Sequence, residues 1–265
     1  TMPGGMNGQM GQQNIAGTIE SASSASSIVE GTTSNSAMDL VADYDNAVTY
    51  DVSETSQVKI TESGTYVVTG TSEDGNITVK KGTTGVVLVL EDLDLTSTTG
   101  ATLSINKQAE VQVIVSGTVT LTDNENPDDE NSTDADVADA FDGAAIKVKA
   151  DSMVYITGDG TLNINGNAKK GIKGGDDSSI IFGGNVKINI DAANDGINSN
   201  YDLAFLGGTF HISAEDDGIH ADHIVTIGND DGTGPDITIE ESNEGIEGTV
   251  INMKGGKVNV NAADD

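Results

Sequence analysis

The chain has 265 residues, with 43 acidic side chains against 12 basic ones and a formal net charge of -31. Such a charge excludes nucleic acid as a partner, because phosphate binding requires a positive surface, and it repels acidic polysaccharides unless metal ions intervene. There is no cysteine for disulfides, and no apolar stretch approaches the roughly 18 residues that a membrane-spanning helix needs. The length suits one elongated domain, which we expect to be a monomer.

The first part of the chain, residues 1–40, is rich in Gly, Ser, Thr, Asn and Gln. We interpret it as a linker and N-terminal cap region that remains after removal of an export or lipoprotein signal. A disordered cytoplasmic tail is the alternative interpretation. Because acidic, polar solenoids are mostly secreted, we expect an extracellular or cell-surface location. Residues Ala37 to Asp51 are expected to cover the first rung.

Residues 41–265 contain one strand-like segment after another. Early examples are Gly64–Gly70, Val86–Leu90 and Val111–Val115. Alternation of apolar and polar residues with period two is typical of strands, with one side chain facing in and the next out. The segment Asp123–Asp142 interrupts this pattern with nine acidic residues in twenty positions. We interpret it as a solvated insertion loop; alternatively, its carboxylates fold over the surface and add metal ligands.

A short phrase of one charged residue, Gly and Ile recurs from residue 170 onward, and a looser copy precedes it. Its isoleucines are Ile146, Ile172, Ile197, Ile219 and Ile246, at intervals of 26, 25, 22 and 27 residues. Between copies, an apolar run ends at a Gly-containing turn and leads into an alternating segment. A period of this length indicates a solenoid. The sequence therefore predicts an all-β fold over residues 41–265, a single-domain right-handed parallel β-helix of about nine or ten rungs with isoleucine stacked on isoleucine.

Alignment of the copies on Gly-Ile brings acidic residues into register. The position before Gly is Asp195, Asp217 and Glu244 in three consecutive copies. Like charges in register destabilise neighbouring strands, so we expect a counter-ion. The alternative is that Asp-Gly and Glu-Gly simply form tight turns.

Calcium is the cation that this register favours. Rungs lie about 4.7 to 4.9 Å apart and Ca²⁺ holds oxygens at about 2.3 to 2.6 Å, so one ion spans a rung step. Asp, Glu and Asn oxygens are hard donors, which favours calcium over zinc or copper. We predict several calcium ions with ligands among Asp195, Asn198, Glu215, Asp216, Asp217, Glu244, Glu247, Asp264 and Asp265.

Lys169, Lys170 and Lys173 make one copy of the phrase basic. They are either a solvated edge or functional lysines, which pair with the carboxylate of a uronic acid or act as the Brønsted base of a β-elimination. His220 is a poor calcium ligand and is expected to hydrogen-bond a carboxylate or a sugar. With five Tyr, four Phe and no Trp, aromatic contacts to a sugar are few. Tyr201 is the main candidate together with Tyr155, and packing at a rung edge is the alternative.

These residues resemble a known family, the bacterial carbohydrate-binding β-helix proteins that are similar to family 9 pectate lyases. The resemblance lies in the repeated Asp/Glu-Gly-Ile phrase, the Gly-Gly turns, the segment Gly158-Asp159-Gly160-Thr161-Leu162 and the opening Gly64-Thr65-Tyr66-Val67-Val68. It implies a right-handed parallel β-helix, several bound calcium ions, and binding of cellulose or polygalacturonate, the plant cell-wall polysaccharides, by an exported protein.

The same resemblance bears on catalysis. In the related lyases an Asp on one rung, Asp-Asp with a further Asp on the next, and a Lys supply the calcium ligands and the base. Here Asp195 and Asp216-Asp217 match that pattern, but the further acid is His220, and one rung beyond stands Glu244 instead of Lys. We therefore favour an extracellular calcium-binding, carbohydrate-binding protein over a calcium-dependent pectate lyase. A structural surface adhesin that uses calcium only as a staple is the third hypothesis.

Overall fold

The structure, a computed structural model, describes residues 29–123, 133 and 142–264. Two short 3-10 turns, Ser36–Asp39 and Tyr44–Asn46, precede the strands. No helix in the described ranges is long and apolar enough to cross a membrane. The strands are β1 Val48–Asp51, β2 Gln57–Ile60, β3 Gly64–Ser72, β4 Asn76–Val79, β5 Val86–Thr96, β6 Leu103–Ile105, β7 Glu110–Ser116, β8 Thr118–Thr122, β9 Ala144–Val148, β10 Met153–Gly158, β11 Thr161–Gly166, β12 Lys170–Gly174, β13 Ser179–Phe182, β14 Lys187–Ala192, β15 Ile197–Ser199, β16 Asp202–Phe205, β17 Thr209–Ala214, β18 Asp217–Ile227, β19 Asp236–Ser242, β20 Glu244–Met253 and β21 Lys257–Ala262.

The strands form three parallel stacks that the chain visits in rotation. The first stack is β1, β3, β5, β7, β10, β13 and β16, followed by the C-terminal halves of β18 and β20. The second contains the ends of β3 and β5 and then β8, β11, β14, β17, β19 and β21. The third is β2, β4, β6, β9, β12 and β15, followed by the N-terminal halves of β18 and β20. The predicted all-β, parallel β-helical fold is confirmed.

The three stacks contain nine, eight and eight strands, which make about seven complete turns, slightly fewer than the nine or ten rungs predicted. The difference arises because part of the chain adds no described rung. The first strand begins only at Val48, and no described strand lies between Thr122 and Ala144. Most of the acidic segment, residues 124–132 and 134–141, lies outside the described residues.

The core is built by side chains that repeat from rung to rung. In the third stack the apolar residue in register is Val58, Ile77, Leu103, Ile146, Ile172, Ile197, Ile219 and Ile246. All of these except the half-buried Ile246 are buried. Between the other two stacks, the rings of Phe182 and Phe205 are parallel at 4.9 Å, and Phe210 packs edge-on against both. Burial of one such side chain contributes about 1.5–3 kcal/mol.

The glycine of the repeated phrase permits close approach between rungs. Gly171, Gly196 and Gly218 have no left-handed φ angle. A Cβ at each would meet the carbonyl oxygen of the equivalent glycine one rung further on, at 2.6, 2.6 and 2.8 Å. Real Cβ atoms essentially never approach another atom so closely. The glycine therefore serves rung packing, and the tight-turn interpretation does not explain it.

Residues 29–46 run along the outside of the first stack, from its last rungs back towards its first. This segment, the N-terminal strap, is fixed by hydrogen bonds to successive strands. They run from Asn252 Nδ2 to Val29 O (3.0 Å), Thr32 N to Asp202 Oδ2 (2.7 Å), Asn35 Nδ2 to Ser179 Oγ (3.0 Å), Gln112 Nε2 to Ala37 O (3.0 Å) and Asp43 N to Thr65 Oγ1 (2.8 Å).

Candidate functional site

The outward residue that follows each apolar residue of the third stack forms a second column. Because side chains alternate along a strand, this residue faces away from the core. The column reads Lys59, Thr78, Ser104, Lys147, Lys173, Asn198, His220 and Glu247. We use the name charged column for this column between Asp142 and Glu247, together with the side chains that contact it there. Its charge changes along the solenoid axis from lysines to acids.

The lysine end of the charged column surrounds one carboxylate. Lys170 Nζ lies 2.9 Å from Asp142 Oδ1, Lys173 Nζ lies 3.8 Å from Asp142 Oδ2, and Lys147 Nζ donates to the Asp142 carbonyl at 2.7 Å. Burial alone would raise the pKa of Asp142, but the hydrogen bond from Lys170 and the charges of the three lysines lower it. Burial has the opposite effect on Lys173, because it lowers the pKa of that ammonium group. Both Lys170 and Lys173 are only 7% exposed, so they do not form a solvated edge.

An amide relay joins the lysine end to the acidic end. Lys173 Nζ donates to Asn198 Oδ1 at 2.5 Å and also to Asn200 Oδ1. Asn198 Nδ2 in turn donates to Asp195 Oδ2 at 2.6 Å, and Asn200 Nδ2 donates to Asp176 Oδ1 at 2.7 Å. The oxygen of each amide therefore accepts from Lys173 and its nitrogen donates to an acid, which fixes the orientation of both amides.

The acidic end is centred on His220. Its Nδ1 lies 3.0 Å from Asp217 Oδ2 and 2.9 Å from Glu247 Oε2, while its Nε2 lies 2.9 Å from Asp222 Oδ1. Burial would lower the pKa of His220, but the hydrogen bonds with Asp222 and Asp217 and the charge of Glu247 raise it. An imidazole with carboxylates at both nitrogens donates from both, which requires the protonated form.

Asp217 and Asp195 are the two buried acids at this end, at 7% and 5% exposed. Burial, followed by the charges of Asp195 and Asp216, raises the pKa of Asp217 to about 6 despite the hydrogen bond with His220. The Asp217 amide also approaches Asp195 Oδ1 at 3.4 Å, and Glu244 stands in register with Asp217 on the next rung. The predicted register of acids is therefore present, and the imidazole of His220 lies against it.

The donor set decides which cation fits. Atoms of Asp217, His220 and Glu247 lie within 4.8 Å of one another, close enough to share an ion. The carboxylates suit calcium, which prefers oxygen, whereas the imidazole nitrogen does not. His220 currently supplies the counter-charge that the sequence assigned to calcium. The carboxylates of Asp217 and Glu247 therefore suit calcium, and the imidazole of His220 does not.

The other predicted residues lie around this centre. Asp216 is exposed and accepts a hydrogen bond from Asn194 Nδ2 at 3.1 Å. Glu215 is exposed and lines a separate groove, and Asp264 lies at the last rung, where its amide donates to the Asn243 carbonyl. Asp265 lies outside the described residues, and Lys169 is half-buried. Four further residues of the site were missed. Asp142 opens the looser copy of the phrase but was assigned to the solvated segment, and Asp176, Asn200 and Asp222 lie outside the phrase.

Tyr201 pairs with a histidine on the next rung. Its ring stacks on that of His223 at 5.0 Å between centroids and 15° between planes. His223 Nδ1 lies 2.6 Å from Oδ1 of Asp202, a carboxylate that is 3% exposed. One face of Tyr201 is therefore covered by the imidazole, and a buried acid fixes the position of that imidazole.

Comparisons with known proteins agree with the parallel β-helical fold and indicate the protein family. A family model described as carbohydrate-binding domain-containing protein matches residues 54–265. A carbohydrate-binding domain-containing protein of Acetivibrio thermocellus is 34% identical over 145 residues, which make up 54% of this chain and 48% of that protein. The chain thus spans about half the length of this relative. The solved structure of the polysaccharide lyase-like protein from C. thermocellum, a gadolinium derivative, superposes with a TM-score of 0.54 over 83% of this chain and 95% of that one. At 24% identity this likeness concerns the fold.

Proposed function

Because the chain belongs to the family of carbohydrate-binding domain-containing proteins, we propose that it binds plant cell-wall polysaccharide, cellulose or polygalacturonate, with calcium held at the acidic end of the charged column. The acidic, hydroxyl- and amide-rich composition supports an extracellular or cell-surface location. Binding, and not chemistry on the sugar, is the proposed activity.

The observation that carries the proposal is the imbalance of charge around Asp217. Asp195, Asp217 and Glu244 occupy one position on three consecutive rungs, and Glu247 adds a fourth carboxylate. The only cationic group in contact with Asp217 and Glu247 among the described residues is His220. The loss of solvent and, after it, the charges of Asp195 and Asp216 raise the pKa of Asp217 to about 6. A divalent cation would offset the excess of negative charge.

Four carboxylates would hold the ion, those of Asp195, Asp217, Glu244 and Glu247. Calcium supplies charge and open coordination positions, which uronate carboxylates can fill. Asn198 orients the Asp195 carboxylate, and Lys173 orients Asn198. Lys170 and Lys173 share the single carboxylate of Asp142, so their combined positive charge is only partly neutralised. A polymer that the net charge of -31 repels is thereby held in a calcium-dependent manner.

Retention on immobilised polygalacturonate tests the proposal. Wild-type protein should be retained in Ca²⁺, released by EDTA and retained again when Ca²⁺ is restored, with circular dichroism recorded at each step to verify folding. Asp217→Asn should lose most of this retention, while Asp159→Asn, an exposed acid in a turn, serves as the matched control. Retention that persists in EDTA on folded protein would refute the role of calcium.

A second candidate function, the pectate lyase, is favoured by one feature. Lys173 is nearly buried beside the acids, and burial lowers its pKa, as a Brønsted base requires. Cleavage of polygalacturonate by β-elimination produces an unsaturated uronate that absorbs in the ultraviolet. An absorbance increase that Lys173→Ala abolishes would support the lyase. Failure to retain any polysaccharide would instead favour the structural adhesin.

A further inference from the structure

A groove runs along the solenoid where the second stack turns into the third. Its volume is about 630 Å³, and its lining includes Asn167, Asp191, Ser213, Glu215, Glu241 and Asn243. A second concavity of about 430 Å³ on the adjoining face of the second stack shares Asp191 and Ser213 with it. We call the two together the turn groove. None of the residues that line it belongs to the charged column, and Glu215 is the one predicted calcium ligand among them.

The groove follows from small residues at one inward position. Successive rungs place Gly166, Ala192 and Ala214 in register at the ends of their strands, and Ser242 pairs with Ala262 at the equivalent point. Small side chains let the backbone bend inward at this corner, so the outer surface becomes concave. Three rung steps, from Gly166 to Ser242, extend the concavity over about 14 Å along the axis.

Ser242 has an unsatisfied hydroxyl at this corner. Its side chain is 4% exposed, and its Oγ has no hydrogen-bond partner in the described part of the chain. Ser242 also belongs to the lining of the groove. Buried hydroxyl groups without a protein partner are rare and are commonly satisfied by an ordered water.

The adjoining face carries a ladder of amides. Asn189 Nδ2 donates to Asn163 Oδ1 at 2.8 Å, and Asn165 Nδ2 donates to Thr122 Oγ1 at 2.8 Å. Each amide has two N–H groups and an oxygen with two lone pairs, so one bond to the preceding rung leaves capacity for a ligand. These groups repeat at the rung spacing along the axis. They match a polymer that offers hydroxyl groups at regular intervals.

The charge of the lining selects among polysaccharides. Asp191, Glu215 and Glu241 are exposed carboxylates, and no lysine lies among the described residues that line the groove. Carboxylates accept hydrogen bonds from sugar hydroxyls, whereas they repel uronate carboxylates. We infer that the turn groove binds a neutral, hydroxyl-rich glycan chain laid parallel to the solenoid axis, independently of calcium. The inference deepens the proposed function and rests on it.

Neutral and acidic probes separate this site from the charged column. The probes are cellohexaose in titration calorimetry and hydroxyethyl cellulose in affinity electrophoresis, each with Ca²⁺ and with EDTA. Ser213→Ile fills the groove from the surface, and Asn189→Ala removes one amide; Thr118→Ile, on an exposed position of the same stack outside the groove, is the control. Ser213→Ile and Asn189→Ala should each weaken neutral-glycan binding at least about tenfold and leave calcium-dependent polygalacturonate retention unchanged. Asp217→Asn should do the opposite: it should lose polygalacturonate retention and keep neutral-glycan binding.

Each other result overturns a distinct claim. If wild type retains polygalacturonate but neither neutral probe binds, the turn groove is not a neutral-glycan site and the proposed function stands. If Ser213→Ile reduces retention of both polymers equally, the groove is not selective for neutral chains. If no polysaccharide binds to folded protein, the proposed function fails together with this inference.

Discussion

Asp142 is the residue on which the lysine end of the charged column depends. It contacts Lys170 at 2.9 Å, and both Lys170 and Lys173 are almost fully buried. Two ammonium groups in such a position require a carboxylate, because desolvation of an unpaired charge is costly. The sequence gives no sign of this role, since Asp142 closes an acidic segment in which every carboxylate reads as solvated.

Replacement of Asp142 by Asn should therefore destabilise the fold. The amide keeps the shape but leaves Lys170 and Lys173 without their counter-charge, and we expect a loss of about 2–3 kcal/mol in the free energy of unfolding. Urea unfolding monitored by circular dichroism measures it. Asp159→Asn, at an exposed turn, should change little. Equal stability of the two variants would show that the lysines find other partners.

Asp123 is a buried acid that makes stability depend on pH. It is 3% exposed; burial raises its pKa to about 6, against the hydrogen bonds from the Ala168 and Asn167 amides. Its Oδ2 has no partner within the described ranges. A folded-state pKa above the usual value of about 3.9 means that the folded protein binds the proton more tightly. The contribution of this group is thus complete below about pH 4 and is lost as the pH rises through about 6.

The variant Asp123→Asn should remove that pH dependence. Wild type should lose up to about 3 kcal/mol of stability between pH 4 and pH 7 through this group alone. The difference in unfolding free energy between wild type and variant, measured in urea at pH 4.5, 5.5 and 7, isolates it, because the other carboxylates cancel. The variant should gain on wild type as the pH rises. A difference that stays constant with pH would refute the assignment.

At the scale of the strand, the repeated glycine sets the distance between rungs. Gly196 has ordinary φ, and a Cβ there would lie 2.5 Å from Ile212 Cγ2 and 2.6 Å from the Gly218 carbonyl oxygen. The carbonyl belongs to the backbone of the next rung and cannot rotate away. Gly248 also has ordinary φ, but its Cβ would come no closer than 3.2 Å to Val225 Cγ2 and Val250 O, with Ala221 O at 3.6 Å.

Gly196→Ala should consequently destabilise much more than Gly248→Ala. Overpacking of a filled site costs about 1–3 kcal/mol, and we expect Gly196→Ala at the upper end of this range and Gly248→Ala near its lower end or below it. Chemical denaturation of both variants under identical conditions provides the comparison. Similar small losses would mean that the rungs separate easily, contrary to the packing described.

The strands also show which contacts can be predicted from a repetitive sequence. Ile172, Ile197 and Ile219 could be placed in one column because period and chemistry coincide, and the register of Asp217 with Glu244 followed from the same alignment. Partners outside the repeat could not be found that way. The strap residue Asn35 contacts Ser179, which is 144 positions away in the sequence, so no local pattern signals that contact. Asp142 contacts Lys170 on the neighbouring rung, but the acidic segment that it closes conceals this role.

The whole molecule carries a net charge of -31, and that charge acts on its stability in two separable ways. Self-repulsion among exposed acids is relieved by any salt, because the Debye length falls to about 10 Å at 0.1 M ionic strength. The calcium proposed to bind to Asp195, Asp217 and Glu244 would add a stabilisation that depends on the identity of the ion. That term is RT ln(1 + [L]/Kd), about 2.7 kcal/mol at a hundredfold excess over Kd.

Thermal unfolding in NaCl, MgCl₂ and CaCl₂ at equal ionic strength separates the two effects. All three salts should raise the melting temperature relative to dilute buffer with EDTA. Calcium should add a further increase in wild type and in Asp159→Asn but not in Asp217→Asn, because Asn at this position removes a central carboxylate while it preserves the hydrogen-bonding shape. Mg²⁺ should add less, since it demands octahedral geometry and keeps its water. If calcium stabilises wild type no more than NaCl does, screening alone accounts for the effect of salt and the acids of the charged column do not hold an ion.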